Sequence, residues 1–120
     1  MPDSPFTSVQ QHSRAVVVHV LASELRKPEV DGICGSIDGA LAGAMGSPFI
    51  LDMAPVTFAG SLALGVLVGL NKEFKNRGQR LIFVGIRPTL MQVLKMTHID
   101  SLIETMADVE AALASVGGGA

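Results

Sequence analysis

A chain of 120 residues, 48% of them hydrophobic, has the size of one domain and enough apolar surface for one core. Its 9 basic and 11 acidic residues include no Lys/Arg block of the kind that neutralises nucleic-acid phosphates, so direct nucleic-acid binding is excluded as a function class. Cys34 is the only cysteine, which rules out an intramolecular disulfide or a cysteine-rich zinc site and suits a reducing, cytoplasmic setting.

The first residues, Met1 to Gln11, lack the basic and apolar regions of a secretory signal. The β-branched run from Ala15 to Leu21 reads as a strand, and Phe6 to Val9 reads as its hairpin partner across the polar turn Gln10 to Arg14. From Val30 the apolar positions Val30, Ile33, Cys34, Ile37, Leu41, Ala44 and Met45 recur at helical spacing, which predicts a helix over about Pro28 to Met45. Its other face carries Gly32, Gly35, Gly39 and Gly43, each costing about 1 kcal/mol of helix propensity against alanine.

Pro48 to Met53 and Arg80 to Gly85 are short apolar runs bounded by turn residues, as expected of central strands covered on both faces. Between them, Ala63, Leu67, Leu70 and Phe74 mark a helix over about Leu62 to Asn76, ended by Arg77 and Gly78. Leu67 is expected to lie among Ile50, Leu70 and Phe83. The uncharged stretch Met53 to Asn71 approaches bilayer length, but Pro55, Thr57, Gly60 and Ser61 break it into a strand end, a turn and a buried helix. Pro88 opens a third helix with Leu90, Val93 and Leu94 buried, and a short strand is expected at Leu102 to Thr105. Asp108 caps a fourth helix ending near Ala114. This order predicts one α/β domain over residues 1–114 with a disordered tail at 115–120.

Catalytic chemistry has little support in the residues. His12, His19 and His98 share no metal-ligand spacing, no glycine-rich loop leads to a lysine, and no nucleophile elbow is present, so neither a catalytic residue nor a metal nor a cofactor is assigned. His19 reads as an ordinary packed strand residue. Asp52, at a strand end, has the position of a general base or of a simple turn residue, and the second reading is favoured. Ser61, at the start of the second helix, is either a cap or a modifiable hydroxyl.

The block Phe49 to Leu67, containing Val56-Thr-Phe-Ala-Gly-Ser61-Leu-Ala-Leu-Gly-Val-Leu67, resembles the STAS pattern of an apolar strand followed by Val-x-Phe-x-Asp-Ser-Ser-Gly-Leu-Gly-Val-Leu. Arg77 to Gly85 resembles the family's Gly-Gly-x-Leu-x-Leu-Val strand, Leu94 to Asp100 its Leu-x-x-Thr-Gly-Leu-Asp segment, and Ser23-Glu-Leu25 its Gly-Glu-Leu-Asp turn. The chain departs from the pattern at Arg26, Gly60, Leu62 and His98. Gly60 and Arg26 replace aspartates, Leu62 replaces a small residue, and His98 replaces a glycine at a helix end suited to positive φ.

The resemblance implies a STAS-like α/β domain, a four- or five-stranded mixed sheet with about four helices packed mainly on one side. It implies an anti-sigma factor antagonist, a non-enzymatic protein that binds an anti-sigma factor with serine kinase activity and is switched off when Ser61 is phosphorylated. Ser23, Glu24, Thr57, Gly60, Ser61, Leu62 and Arg87 are the partner-binding residues it implies. A phosphatase and self-association are further partners it admits, and Leu62 with Ile86-Arg87-Pro88 resembles the stressosome scaffold members. An accessory domain that takes a small ligand or lipid near Asp52 and Arg87 is the third reading.

Overall fold

The computed structural model describes residues 5–44 and 46–117. Strands β1 (Thr7–Gln11) and β2 (Val16–Val20) form the opening antiparallel hairpin; β3 (Glu24–Leu25) and α1 (Lys27–Leu41) follow, then β4 (Phe49–Asp52), β5 (Phe58–Ala59) and α2 (Ser61–Asn76). The chain continues through β6 (Leu81–Val84), α3 (Pro88–Met96), a 3₁₀ turn at Ile99–Ser101, β7 (Glu104–Met106) and α4 (Val109–Gly117). The main sheet has the order β1-β2-β4-β6-β7, parallel except for the hairpin, and β3 pairs with β5 in a separate two-stranded parallel sheet.

Because side chains alternate across a strand, each central strand feeds two cores. Val16, Val18, Val20, Phe49, Leu51, Leu81 and Phe83 pack beneath α1, α2 and α3, while Val17, Ile50, Ile82 and Val84 pack beneath α4 through Ala112, Val109 and Leu113. The expectation of central strands covered on both faces holds, as does that of a mixed sheet with most helices on one side. Leu67 therefore packs in the larger core with Leu70 and Phe83, but not with Ile50, which points to the opposite face.

Several boundaries differ from the sequence reading. The first helix stops at Leu41, not Met45, because Gly43 N–H and Ala44 N–H donate back three residues, to Ala40 and Leu41, and Gly46 turns with φ +89°. That tight turn keeps Ala44 buried, so the apolar pattern outlasts the helix. Met45 lies outside the described residues. Val93 is 39% exposed rather than buried, since Leu90 and Leu94, with Met91 beside them, form the inner stripe of the short α3. The last strand is displaced to Glu104–Met106 by the intervening 3₁₀ turn. Asp108 does cap α4, its Oδ1 accepting from Ala111 N–H at 2.8 Å. The helix nonetheless continues past Ala114, with Val116 packed on the smaller core, so residues 115–117 of the expected tail are helical and 118–120 lie outside the described residues. His98 adopts φ 62°, the left-handed conformation anticipated where a glycine was the pattern. Among the described residues no helix is long and apolar enough to cross a membrane.

Candidate partner-docking site

At the carboxyl end of the parallel strands, the connections after β2, β4 and β6 emerge together, where open α/β sheets usually carry their sites. The β3–β5 pairing places Glu24 opposite Phe58 and Leu25 opposite Ala59, joining two segments more than thirty residues apart in sequence. Ser23 O is the hub. It accepts from Thr57 N–H at 2.7 Å, Phe58 N–H at 3.3 Å and the Thr57 hydroxyl at 3.1 Å. The pairing buries Leu25 and Ala59 and turns Glu24 and Phe58 outward.

Gly60 then occupies the N-cap of α2 with φ −76° and ψ 177°, an ordinary extended conformation. Ser61 is the first residue of the helix, one past the N-cap position that Gly60 takes, and it is exposed. Ala63, Leu64 and Leu67 fix the helix to the core. Leu62 faces away from them at 55% exposure, with Phe58 at 52% and Leu21 at 57%. Leu21 and Phe58 were not singled out from sequence. Phe58 was legible in principle, because alternation with the buried Ala59 in a two-residue strand forces it outward.

Charge at this face is limited. The Glu24 carboxylate accepts from Arg26 Nε at 2.9 Å, an exposed pair of small energetic weight. Arg87 is exposed, and its Nε donates to Ala54 O at 2.8 Å.

Asp52 is the turn residue expected, its Oδ1 accepting from Ala54 N–H at 3.0 Å. His19 is more than a packed residue. The register sets it opposite Asp52, and Nδ1 lies 2.9 Å from Asp52 Oδ2 while Nε2 lies 3.2 Å from Gln10 Oε1. An open cleft of about 440 Å³ adjoins Asp52, lined also by Ala54, Gly85, Ala107, Asp108, Val109 and Glu110. Arg87 is not in its lining but bonds Ala54, which is. No group of three or more His, Cys, Asp or Glu side chains among the described residues could hold a metal ion. Burial, followed by Asp38, Asp31 and Glu73, pushes the Cys34 thiol up, which makes it a poor nucleophile.

The family model of the STAS domain matches residues 7–112. The structure is similar to that of an anti-sigma-factor antagonist (STAS) domain protein from Planctomyces limnophilus, with a TM-score of 0.80 and 25% identity over 92% of this chain and 97% of that one. It shares its fold with the anti-sigma factor antagonist SpoIIAA in its unphosphorylated form, at TM-score 0.75 and 22% identity over 93% and 96% of the two chains. A chain of the stressosome, described as a signal integration and transduction hub, shares the fold at TM-score 0.71 and 14% identity over 92% and 96%.

Proposed function

We propose, from the premise that this chain belongs to the STAS domain family, that it is an anti-sigma factor antagonist acting by reversible protein binding rather than by catalysis. The partner is an anti-sigma factor with serine kinase activity, in the cytoplasm, and phosphorylation of Ser61 ends the complex. One observation carries the reading: an exposed serine at the head of a helix, flanked by the exposed apolar side chains Phe58 and Leu62. Solvent-facing aromatic and aliphatic groups of this kind gain by burial against a partner, at about 25 cal/mol per Å² of apolar surface.

A phosphate on Ser61 adds about −1.5 to −2 charges at the position where the helix dipole and its orphan N–H groups tolerate an anion, so the fold is retained. A partner seated on Phe58, Ser61 and Leu62 meets a desolvated dianion instead, and leaving such charge unpaired costs several kcal/mol. The switch is local and needs no rearrangement. A pull-down from native lysate with the free and the Ser61-phosphorylated chain tests this. A kinase-type anti-sigma factor is retained by the free form only; equal retention by both forms contradicts the switch.

One further observation favours a second reading, a stressosome-like scaffold. Val93 at 39%, Met96 at 75% and Leu102 at 49% exposure form another set of solvent-facing apolar side chains, on α3 and the turn after it, and a scaffold requires more than one contact face. Gel filtration separates the readings, because a scaffold elutes as a large assembly with like domains.

A further inference from the structure

Ala54 follows the last strand residues of β4 and begins the connection that ends at Ser61. Its own side chain is exposed, although it sits in a turn closed by Val56 N–H donating to Met53 O at 2.9 Å between two buried residues. Both of its backbone polar groups are nevertheless taken by side chains: Asp52 Oδ1 accepts its N–H at 3.0 Å, and Arg87 Nε donates to its carbonyl at 2.8 Å. Asp52 is in turn oriented by His19 Nδ1 at 2.9 Å from its other oxygen. Gly85 leaves the necessary room. Its φ is +70°, and a Cβ there would lie 3.2 Å from both Ala54 N and Asp52 Oδ1. The Thr57 bonds to Ser23 O and the fully buried Val56 hold the connection further along, and the Ala54 contacts set the path by which the chain reaches them.

We propose that Asp52 and Arg87 are positioning residues: together they clamp Ala54, and the clamp fixes the path of the chain so that Phe58, Ser61 and Leu62 are held in one docking geometry. The proposal rests on the reading of that face as the partner surface, and it gives Arg87 a task on its own chain. The physical gain is pre-organisation. A face ordered before encounter loses less freedom on binding, whereas a partly ordered face binds in proportion to its competent fraction.

The test is ¹⁵N relaxation and amide hydrogen exchange on the full chain, without any partner. In Asp52→Ala and in Arg87→Ala, order at Phe58–Leu62 falls from a rigid value of about 0.85 toward 0.6, and the Phe58 amide exchanges about tenfold faster. Asp52→Asn, which keeps an oxygen for the Ala54 N–H, restores the wild-type behaviour. Arg87 is exposed, so its variant folds even if Asp52→Ala does not. Unchanged order and exchange at Phe58–Leu62 in a folded variant would overturn the clamp, as would an Asp52→Asn chain as loose as Asp52→Ala. Because no partner enters the measurement, that failure leaves the Ser61 reading standing, and a failure of phosphorylation-dependent binding leaves the clamp standing.

Discussion

Replacing Gly60 by aspartate restores the carboxylate that the family pattern carries, and the structure gives the size of the effect. Gly60 is the N-cap of α2, supplies no side-chain acceptor, and is followed by a first turn without an acidic residue. Its φ of −76° and ψ of 177° are what an aspartate cap adopts, and an added Cβ would meet only the Phe58 ring, at 3.8 and 3.9 Å, an ordinary contact. The new carboxylate is then placed to accept from the N–H groups of Leu62 or Ala63. An acceptor in place of glycine contributes a few tenths of a kcal/mol, and an anion at the dipole's positive end about 0.3–1 kcal/mol. Removing glycine's freedom from the unfolded chain adds to both. The sum is about 1 kcal/mol, which for a domain of this size raises the thermal midpoint by about 3–5 °C. Scanning calorimetry at low ionic strength measures it directly. A midpoint equal to or below that of the parent would refute the reasoning, since neither backbone strain nor a steric clash stands in the way.

Leu67, at 4% exposure on the inner face of α2, tolerates no charge: Leu67→Asp forfeits about 3–5 kcal/mol of packing before the buried carboxylate is counted, and circular dichroism should find the chain unfolded or nearly so. His98→Gly relieves a left-handed residue costing about 1–2 kcal/mol while adding about 0.5–1 kcal/mol of glycine entropy, so the denaturant midpoint should rise slightly with an unchanged slope. Hydrogen bonding to Arg80 holds the Glu104 carboxyl below its ordinary range. A group depressed in this way contributes stability above its unfolded value of about 4.3 and loses it as pH falls through the lower folded value. Glu104→Gln should therefore flatten the acid limb of a stability curve, modestly, because both partners are more than a third exposed.

Much of the architecture was legible because it follows from local pattern. The continuous apolar runs around Ile50 and Ile82 announce strands covered on both faces, and the stripe through Ala63, Leu67, Leu70 and Phe74 announces the helix between them. What escaped depends on pairing across distance. Nothing near His19 in sequence points to Asp52; the parallel register of β2 and β4 brings them together. The same limit applies to Ala54 and Arg87, whose bond exists only once β6 lies beside β4. Assigning Leu67 to the company of Ile50 failed because both are apolar and only the strand's alternation tells the two cores apart. The end of α1 is hidden in the sequence because a 3₁₀-like turn continues the apolar spacing of the helix it terminates.

We propose that Ser61 is the modified hydroxyl of a partner-docking face. Incubating the chain with a purified kinase-type anti-sigma factor and ATP, and mapping the phosphate by fragmentation mass spectrometry, tests this. A single phosphate on Ser61 is expected, absent from Ser61→Ala, with Ser61→Ala still binding the kinase and Ser61→Asp binding it much more weakly. Phosphate on Thr57 or Thr89 with Ser61 untouched would contradict it.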